Sequence, residues 1–179
     1  DADRCILVDE RGNEVDGDFL LLICALDMQR RKILDPPLVV VTVMSNIGLD
    51  IALQRENVDI ISTKVGDRYV LEKMQEIGGK IGGEQSGHII FLDHATTGDG
   101  LLTSLKVAEV LKRTGLTLSE LAGEMEKQPQ ILVNVRIENK EKVLALPLVR
   151  EALEEAEQKL GKWGKLVVRP SGTEPLDVD

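Results

Sequence analysis

A run of β-branched residues constrains the fold of this chain more than any other feature. The run, Leu38-Val39-Val40-Val41-Thr42-Val43, contains no charged residue and a single polar side chain. Such runs are typical of strands buried on both faces of a parallel sheet, because helices then cover each face. Further strands are predicted at Cys5–Val8 and Asp59–Thr63, around Ile81, and over His88–Leu92.

Predicted helices alternate with these strands. Each begins at a residue type that can accept backbone N–H bonds at a helix N-terminus, and most end at a basic or glycine-rich stop. The alternation predicts an α/β fold with a doubly wound, mixed or mostly parallel sheet. The predicted starts are Asp16 or Asp18, Asn46, Asp67, Asp99 and Thr117, with ends near Arg31, Arg55, Gly78-Gly79, Arg113 and Lys127.

A domain boundary is predicted near Gln128-Pro129, where the order of elements changes. Beyond it we expect a strand at Ile131–Ile137, a helix beginning near Pro147 and a strand at Leu166–Val168. Residues 1–15 are interpreted as the end of a preceding domain and residues 16–127 as the α/β domain. Residues 128–179 are interpreted as a smaller α+β domain, incomplete at its C-terminus.

Composition excludes several classes of partner. The net charge of the 179 residues is −9 and only 2% of them are aromatic, so neither phosphate neutralisation nor base stacking on a nucleic acid is expected. The longest apolar run, Phe19–Leu26, is too short to cross a bilayer, so no membrane partner is expected. Two cysteines without metal or redox spacing indicate a reducing, cytoplasmic setting.

The loop Arg169-Pro170-Ser171-Gly172-Thr173-Glu174-Pro175 has the parts of a phosphate site. The Arg169 guanidinium offers a planar fork to two phosphate oxygens, and Ser171 and Thr173 supply hydroxyl donors. Gly172 allows backbone N–H groups to close on an anion. The alternative is a tight surface turn with a solvated arginine.

A second polar constellation is Gly82-Gly83-Glu84-Gln85-Ser86-Gly87-His88. Glu84, Ser86 and His88 alternate at strand spacing, which would place a carboxylate, a hydroxyl and an imidazole on one face. Such a set can bracket the vicinal hydroxyls of a sugar. The alternative is a glycine-rich hairpin whose polar residues face water.

The first four residues, Asp1-Ala2-Asp3-Arg4, form a third candidate site. Two carboxylates at positions i and i+2 could supply oxygen ligands to Mg²⁺. Arg4 would add positive charge beside the metal, which suits phosphoryl chemistry. The alternative is an ordinary acidic segment.

The three loops, in this order, resemble the α-D-phosphohexomutase superfamily. Its members carry a phosphoserine loop, an Asp-x-Asp-x-Asp-Arg metal loop, a Glu-x-Ser-Gly-His sugar loop and an Arg-Pro-Ser-Gly-Thr phosphate loop. Further stretches read like the branch that acts on glucosamine phosphates, namely Thr42–Asn46, Thr63–Val70 and Thr97–Gly100. Gln85 points to that branch in particular, because relatives that prefer mannose or glucose more often have methionine there.

The resemblance implies a Mg²⁺-dependent isomerase that interconverts glucosamine 6-phosphate and glucosamine 1-phosphate. The reaction would run through a phosphoserine and a bisphosphorylated sugar. Residues 16–127 would then bind the sugar and residues 128–179 the phosphate. The implied roles are metal ligands at Asp1 and Asp3, catalytic cations at Arg4 and Lys64, sugar contacts at Glu84, Ser86 and His88, and phosphate contacts at Arg169, Ser171, Gly172 and Thr173.

The chain also departs from the family pattern. It lacks the first aspartate of the metal loop and any phosphoserine loop, and it ends on Leu176-Asp177-Val178-Asp179 where an Ile-Arg-Val-like strand would follow. We therefore expect a C-terminal fragment that is inactive alone and whose partners are the missing N-terminal domains. Exposed apolar surface could also drive homo-oligomer formation.

Three alternative functions stay open at this point. One is a relative that acts on mannose or glucose phosphates. Another is a Mg²⁺-dependent phosphatase built on Asp1 and Asp3, although such enzymes need an apolar strand before the first aspartate. The third is a non-catalytic module that binds phosphosugars.

Overall fold

The computed structural model describes residues 1–135, 140–161 and 164–168. The chain divides into two compact units, Asp1–Gln128 (unit 1) and Pro129–Asp179 (unit 2). Residues 1–15, which the sequence assigns to the end of a preceding domain, belong to unit 1. Each unit is described by itself below.

Unit 1 is built on a four-stranded sheet in the order β4-β3-β5-β6. Strand β3 runs parallel to both β4 and β5, whereas β6 is antiparallel to β5. A separate antiparallel pair, β1 and β2, precedes the sheet. The prediction of a mixed, mostly parallel sheet is therefore confirmed. The bounds are Leu7–Val8 (β1), Glu14–Val15 (β2), Leu38–Thr42 (β3), Asp59–Thr63 (β4), Ile81–Gly83 (β5) and Ile89–Phe91 (β6).

The helices of unit 1 begin where the capping residues predict. Asp16, Asn46, Asp99 and Thr117 each accept a backbone N–H bond at the start of a helix, and Gly78 ends a helix in the left-handed conformation. None of the helices in the described ranges is long and apolar enough to cross a membrane. The helices are Gly17–Arg30 (α1), Ile47–Arg55 (α2), Asp67–Ile77 (α3), Gly100–Thr114 (α4) and Leu118–Ala122 (α5).

The buried residues of β3 face two separate cores. Val39 and Val41 point into the larger core, which α1, α2 and α4 cover, while Val40 points into a smaller one under α3. All three side chains are fully buried. Alternate residues of a strand point to opposite faces, so β3 is covered on both sides, as its continuous apolar run predicts.

The last residue of unit 1 is held by the cap of α2. The Asn46 side chain accepts hydrogen bonds from the N–H groups of Gly48 (2.9 Å) and Gln128 (3.0 Å) through Oδ1. Its amide nitrogen donates to the carbonyl oxygen of Gln128 at 2.8 Å. One buried side chain therefore caps a helix and fixes the end of the unit.

Unit 2 contains two helices in its described part, α6 (Lys140–Leu144) and α7 (Pro147–Leu160). The helix at Pro147 and its end at Gly161 are confirmed. The predicted strands are wrong for residues 131–135 and for Leu166–Val168, which adopt no strand. A strand needs a hydrogen-bonded neighbour, and the described residues of unit 2 supply none.

Candidate functional site

The candidate site lies at one edge of the sheet in unit 1. Strands β3, β4 and β5 are parallel, so the loops that follow them meet at their carboxyl ends. Lys64 follows β4 directly and Glu84 follows β5 directly. A hydrogen bond joins the two loops, because the Gly66 N–H donates to Glu84 Oε1 at 3.1 Å. In open α/β sheets this edge is where ligands bind.

The 84–88 loop is a tight turn between β5 and β6. Its ends are tied by the bond from Glu84 N–H to the His88 carbonyl (3.0 Å), and Gly87 N–H donates to the Glu84 carbonyl (3.0 Å). The prediction that Glu84, Ser86 and His88 alternate on one strand face is therefore wrong, because a turn does not have the period of a strand. Glu84 is half-buried, Ser86 is exposed and His88 is buried.

The His88 ring connects the 84–88 loop to the first residues of the chain. Nε2 accepts the backbone N–H of Gly98 at 2.9 Å, and Nδ1 lies 3.3 Å from Oδ2 of Asp3. A nitrogen that accepts an N–H bond carries no proton, so in the neutral ring the proton lies on Nδ1 and is donated to Asp3. The carboxylate of Asp67 is also near, with Oδ2 3.7 Å from Nε2.

Residues 2–5 lie against the 84–88 loop and the start of α4. Cys5 N–H donates to the Gly87 carbonyl at 2.9 Å, and Gly100 N–H donates to the Ala2 carbonyl at 2.8 Å. Burial acts to raise the pKa of the Asp3 carboxyl, but hydrogen bonds from its own backbone N–H and from His88 outweigh it. The pKa of Asp3 is therefore lower than its ordinary value, and this carboxylate stays ionised.

The remaining predicted residues of this region are exposed. Asp1, Arg4 and Lys64 all point to solvent, so they are accessible to a ligand. Within the described ranges, no group of three His, Cys, Asp or Glu side chains could hold a metal ion. Asp1 and Asp3 therefore do not form a magnesium centre by themselves.

The predicted phosphate contacts Arg169, Ser171, Gly172 and Thr173 lie outside the described residues. Two glycines that the sequence did not single out do contribute to the site. Gly66 donates to Glu84 and Gly98 donates to His88. Both stand immediately before an acidic residue at a predicted helix start, but that position does not indicate a contact with Glu84 or His88.

A cavity of about 100 Å³ lies at the opposite end of β5. Lys80, which precedes β5, lines it together with Cys24, Phe91, Lys106 and Arg113. Small-molecule sites usually enclose about 300–1,000 Å³. The cavity is too small for a hexose phosphate, and both of its arginines, Arg31 and Arg113, are already paired with Asp27, at 3.4 and 2.7 Å.

Two family models match the chain along most of its length. The one described as phosphoglucomutase/phosphomannomutase, alpha/beta/alpha domain III, matches residues 16–128. The chain belongs to the phosphoglucomutase/phosphomannomutase family. The C-terminal domain model of the same family matches residues 132–178. The resemblance to the α-D-phosphohexomutases, and the fold class that it implies, are thereby confirmed.

Curated relatives share much of this sequence. A phosphoglucosamine mutase of Syntrophomonas wolfei is 76% identical over 176 residues, and one of Clostridium novyi is 54% identical over 178 residues. Each match covers 98% of this chain but only 39% and 40% of the relative. The chain thus spans about two-fifths of the length of these family members.

Solved structures of family members share the fold at lower identity. The N-acetylphosphoglucosamine mutase of Aspergillus fumigatus, in complex with GlcNAc-6P and magnesium, matches with a TM-score of 0.76 and 20% identity. That match covers 97% of this chain and 45% of the other. An N-acetylglucosamine-phosphate mutase in a product complex gives a TM-score of 0.74 at 22% identity, covering 97% and 42%.

Proposed function

We propose that this chain provides the sugar-binding and phosphate-binding parts of a phosphoglucosamine mutase. The reaction is the interconversion of glucosamine 6-phosphate and glucosamine 1-phosphate, an intramolecular phosphoryl transfer through a phosphoserine and a bisphosphorylated sugar. The identity of 76% to a curated phosphoglucosamine mutase supports this choice within the family. Free thiols at Cys5 and Cys24 suit the cytoplasmic setting that we propose for it.

One observation carries the proposal more than the others. Residues 2–5, the 84–88 loop and the starts of α3 and α4 converge at the carboxyl edge of the sheet. The contacts of Glu84 with Gly66 and of His88 with Asp3 and Gly98 join them directly. A loop that only connected two strands would not need to bring a carboxylate and a buried imidazole to the carboxyl ends of the strands, where polar groups of a ligand site converge.

The side chains at this edge have distinct proposed roles. Glu84 Oε1 accepts the Gly66 N–H, so Oε2 is proposed to accept a sugar hydroxyl, and the exposed Ser86 hydroxyl is proposed as a second sugar contact. Lys64 and Arg4 would place positive charge near the phosphoryl group that moves, where charge develops on its oxygens. We assign the phosphate that does not react to Arg169, Ser171, Gly172 and Thr173.

His88 is proposed to position Asp3. Its Nε2 is engaged by Gly98 and its Nδ1–H points to the Asp3 carboxylate, so the ring fixes where that carboxylate lies. The expectation of Mg²⁺ at Asp1 and Asp3 rests on the resemblance. Since the described residues do not complete a metal centre, no step of the reaction is assigned to the ion.

The product of the whole gene tests the function. The full-length protein is incubated with glucosamine 6-phosphate and traces of glucose 1,6-bisphosphate. It should form glucosamine 1-phosphate, which ³¹P NMR detects. Mannose 6-phosphate and glucose 6-phosphate are the competing substrates. Faster turnover of either would identify a different branch of the family, and release of inorganic phosphate would identify a phosphatase.

The 179-residue chain itself provides a second test. Titration of the ¹⁵N-labelled chain with glucosamine 6-phosphate should shift the amides of the 84–88 loop and of Arg169–Thr173. Glucosamine and inorganic phosphate, added separately, should each reproduce part of the pattern only. Absence of shifts at millimolar ligand would contradict a preformed site in this chain.

A further inference from the structure

The carboxylate of Asp16 accepts hydrogen bonds from four donors. Its Oδ1 accepts the backbone N–H groups of Asp18 (3.1 Å) and Phe19 (3.5 Å), which caps α1. Its Oδ2 accepts Lys127 Nζ at 2.5 Å and Gln85 Nε2 at 3.4 Å. Only 5% of the Asp16 side chain is exposed. A carboxylate this deeply buried needs a compensating charge, and Lys127 provides it.

The backbone at the start of α1 also contacts the 84–88 loop. Gly17 N–H donates to the Gln85 carbonyl at 2.9 Å. A Cβ atom at Gly17 would lie 2.1 Å from the Glu84 carbonyl oxygen and 2.7 Å from the Gly87 nitrogen. No side chain fits there, so the loop rests directly on the first turn of the helix.

Lys127 is held in place by more than its ion pair. Its ammonium group lies 6.0 Å from the centre of the Phe19 ring, within the range of a cation–π contact. The next residue, Gln128, is fixed by Asn46 on both its N–H and its carbonyl. The lysine therefore approaches Asp16 from a backbone position that is itself anchored.

We propose that Asp16, Lys127 and Gln85 form an anchor that positions the 84–88 loop. The proposal rests on the proposed function where it treats this loop as the sugar-binding one. Both contacts reach the loop from the start of α1, because Asp16 accepts a hydrogen bond from the Gln85 side chain while the Gly17 N–H donates to the Gln85 carbonyl. Glutamine suits position 85 because its amide donates to a carboxylate, which the thioether of methionine cannot do.

These are positioning residues, since none of them needs to touch the sugar. Hydrogen exchange of the apo chain measures the effect without any ligand. The reporter amides are Glu84 and Gly87, which close the turn, and Gly17. In Lys127→Met and in Gln85→Met we expect these amides to exchange about tenfold faster, while amides of the central sheet keep their rates.

Lys80→Met is the matched control. Lys80 also pairs with an aspartate, Asp93, at 2.8 Å, but at the opposite end of β5. Lys80→Met should leave the exchange rates of the reporter amides unchanged. In Lys127→Arg, these rates should return close to those of the unsubstituted chain. Unchanged reporter rates in both Lys127→Met and Gln85→Met would overturn the proposal. If Lys127→Met does not fold, Gln85→Met alone decides, because it leaves the ion pair of Asp16 and Lys127 intact.

A titration separates this proposal from the proposed function. In Gln85→Met we expect about tenfold weaker binding of glucosamine 6-phosphate, with an unfolding midpoint close to that of the unsubstituted chain. Faster exchange in Gln85→Met, together with no binding of glucosamine 6-phosphate by the unsubstituted chain, would contradict a preformed sugar site in this chain and leave the anchor standing. Normal binding in Gln85→Met, together with unchanged exchange in both variants, would contradict the anchor and leave the proposed function standing.

Discussion

His88 Nδ1 lies 3.3 Å from Asp3 Oδ2, across 85 positions of the sequence. His88 directly precedes β6, whereas Asp3 precedes β1. The His88 ring is buried, which restricts its orientation. Because Gly98 holds the other ring nitrogen, the imidazole cannot turn away without losing a second hydrogen bond.

Replacing His88 should release Asp3. His88→Ala is expected to lower the free energy of unfolding by about 2 kcal/mol, because a buried ring and two hydrogen bonds are lost. The pKa of Asp3 should rise toward its ordinary value, since one of the bonds that lower it disappears. Chemical denaturation and ¹³C NMR titration of the carboxyl group measure the two effects.

The other histidine is the natural control. His94 is exposed, so His94→Ala should change the free energy of unfolding by less than about 0.5 kcal/mol and leave Asp3 unaffected. An unaltered pKa of Asp3 in His88→Ala would show that the contact does not stabilise the ionised carboxylate.

Asp18 should make stability depend on pH in an unusual direction. Burial raises the pKa of its carboxyl to about 6, against the hydrogen bonds from Asn46 and Ser45. Between about pH 4 and about pH 6, the Asp18 carboxyl is therefore protonated in the native chain but mostly ionised in the unfolded chain. The free energy of unfolding contributed by Asp18 therefore falls as pH rises through that window, by at most about 3 kcal/mol.

The variant Asp18→Asn isolates this contribution. Other carboxylates, such as Asp3 and Asp9, have lowered pKa values and oppose the trend, so the informative quantity is the difference between the two proteins. We expect Asp18→Asn to gain stability relative to the unsubstituted chain as pH rises from 4 to 7. Asp59→Asn, at an exposed position, should show no such gain. If the free energies of unfolding of Asp18→Asn and of the unsubstituted chain change in parallel with pH, the raised pKa of Asp18 is refuted.

Gly100 should control the position of residues 2–4. A Cβ atom there would lie 2.1 Å from the Arg4 carbonyl oxygen, and the Gly100 N–H donates to the Ala2 carbonyl. Gly100→Ala is expected to shift the amide resonances of residues 2–5 and to destabilise the chain by about 1–3 kcal/mol, despite the higher helix propensity of alanine.

Gly123→Ala provides the comparison for that variant. Gly123 has right-handed helical backbone angles, and its added Cβ would approach no atom closer than 3.2 Å. Its effect on the resonances of residues 2–5 should be negligible. Equal effects of the two substitutions would argue that the contact between α4 and Arg4 is unimportant.

Arg113 should matter more than other surface arginines. It donates to both carboxylate oxygens of Asp27, at 3.0 and 2.7 Å, and Asp27 is buried. Among the described residues, Arg113→Met would leave that carboxylate with a single cationic contact, 3.4 Å to Arg31, at a cost of about 1–2 kcal/mol in unfolding free energy.

The exposed pair of Arg68 and Glu72 is the reference for this prediction. Arg68→Met should have no measurable effect on the denaturation midpoint, because exposed ion pairs add little to stability. Arg113→Lys should restore only part of the loss, since lysine cannot bind two oxygens in a planar fork. A midpoint for Arg113→Met equal to that of Arg68→Met would contradict the distinction.

The sequence predicts the elements of unit 1 because their signals are local. Asp16, Asn46 and Asp99 lie beside the N–H groups that they cap, and the β3 run is apolar on both faces. The strand predicted at Ile131–Ile137 fails over residues 131–135 because pairing depends on a distant partner that no local pattern specifies. Glycines and polar residues single out the 84–88 loop in the sequence, and its sugar-binding role stays a prediction from the resemblance, whereas strand spacing misjudged its geometry.

The supporting contacts of the site could not be predicted in this way. Lys127 and Asp16 are separated by 111 positions, and nothing in either neighbourhood indicates the other. Gly66 and Gly98 act through backbone N–H groups, which every residue except proline possesses, so residue type carries little information about their roles.

The bonds from Asn46 to Gln128 also determine where a protease could enter the chain. Residues up to Gln128 are tied to α2, whereas the Ile131, Leu132, Val133 and Val135 side chains that follow are more than 70% exposed. Exposed segments outside helices and strands are preferred sites of proteolytic cleavage. Limited digestion should therefore begin just after residue 128 and release unit 1 as a single resistant core, with the 84–88 loop and its supports intact.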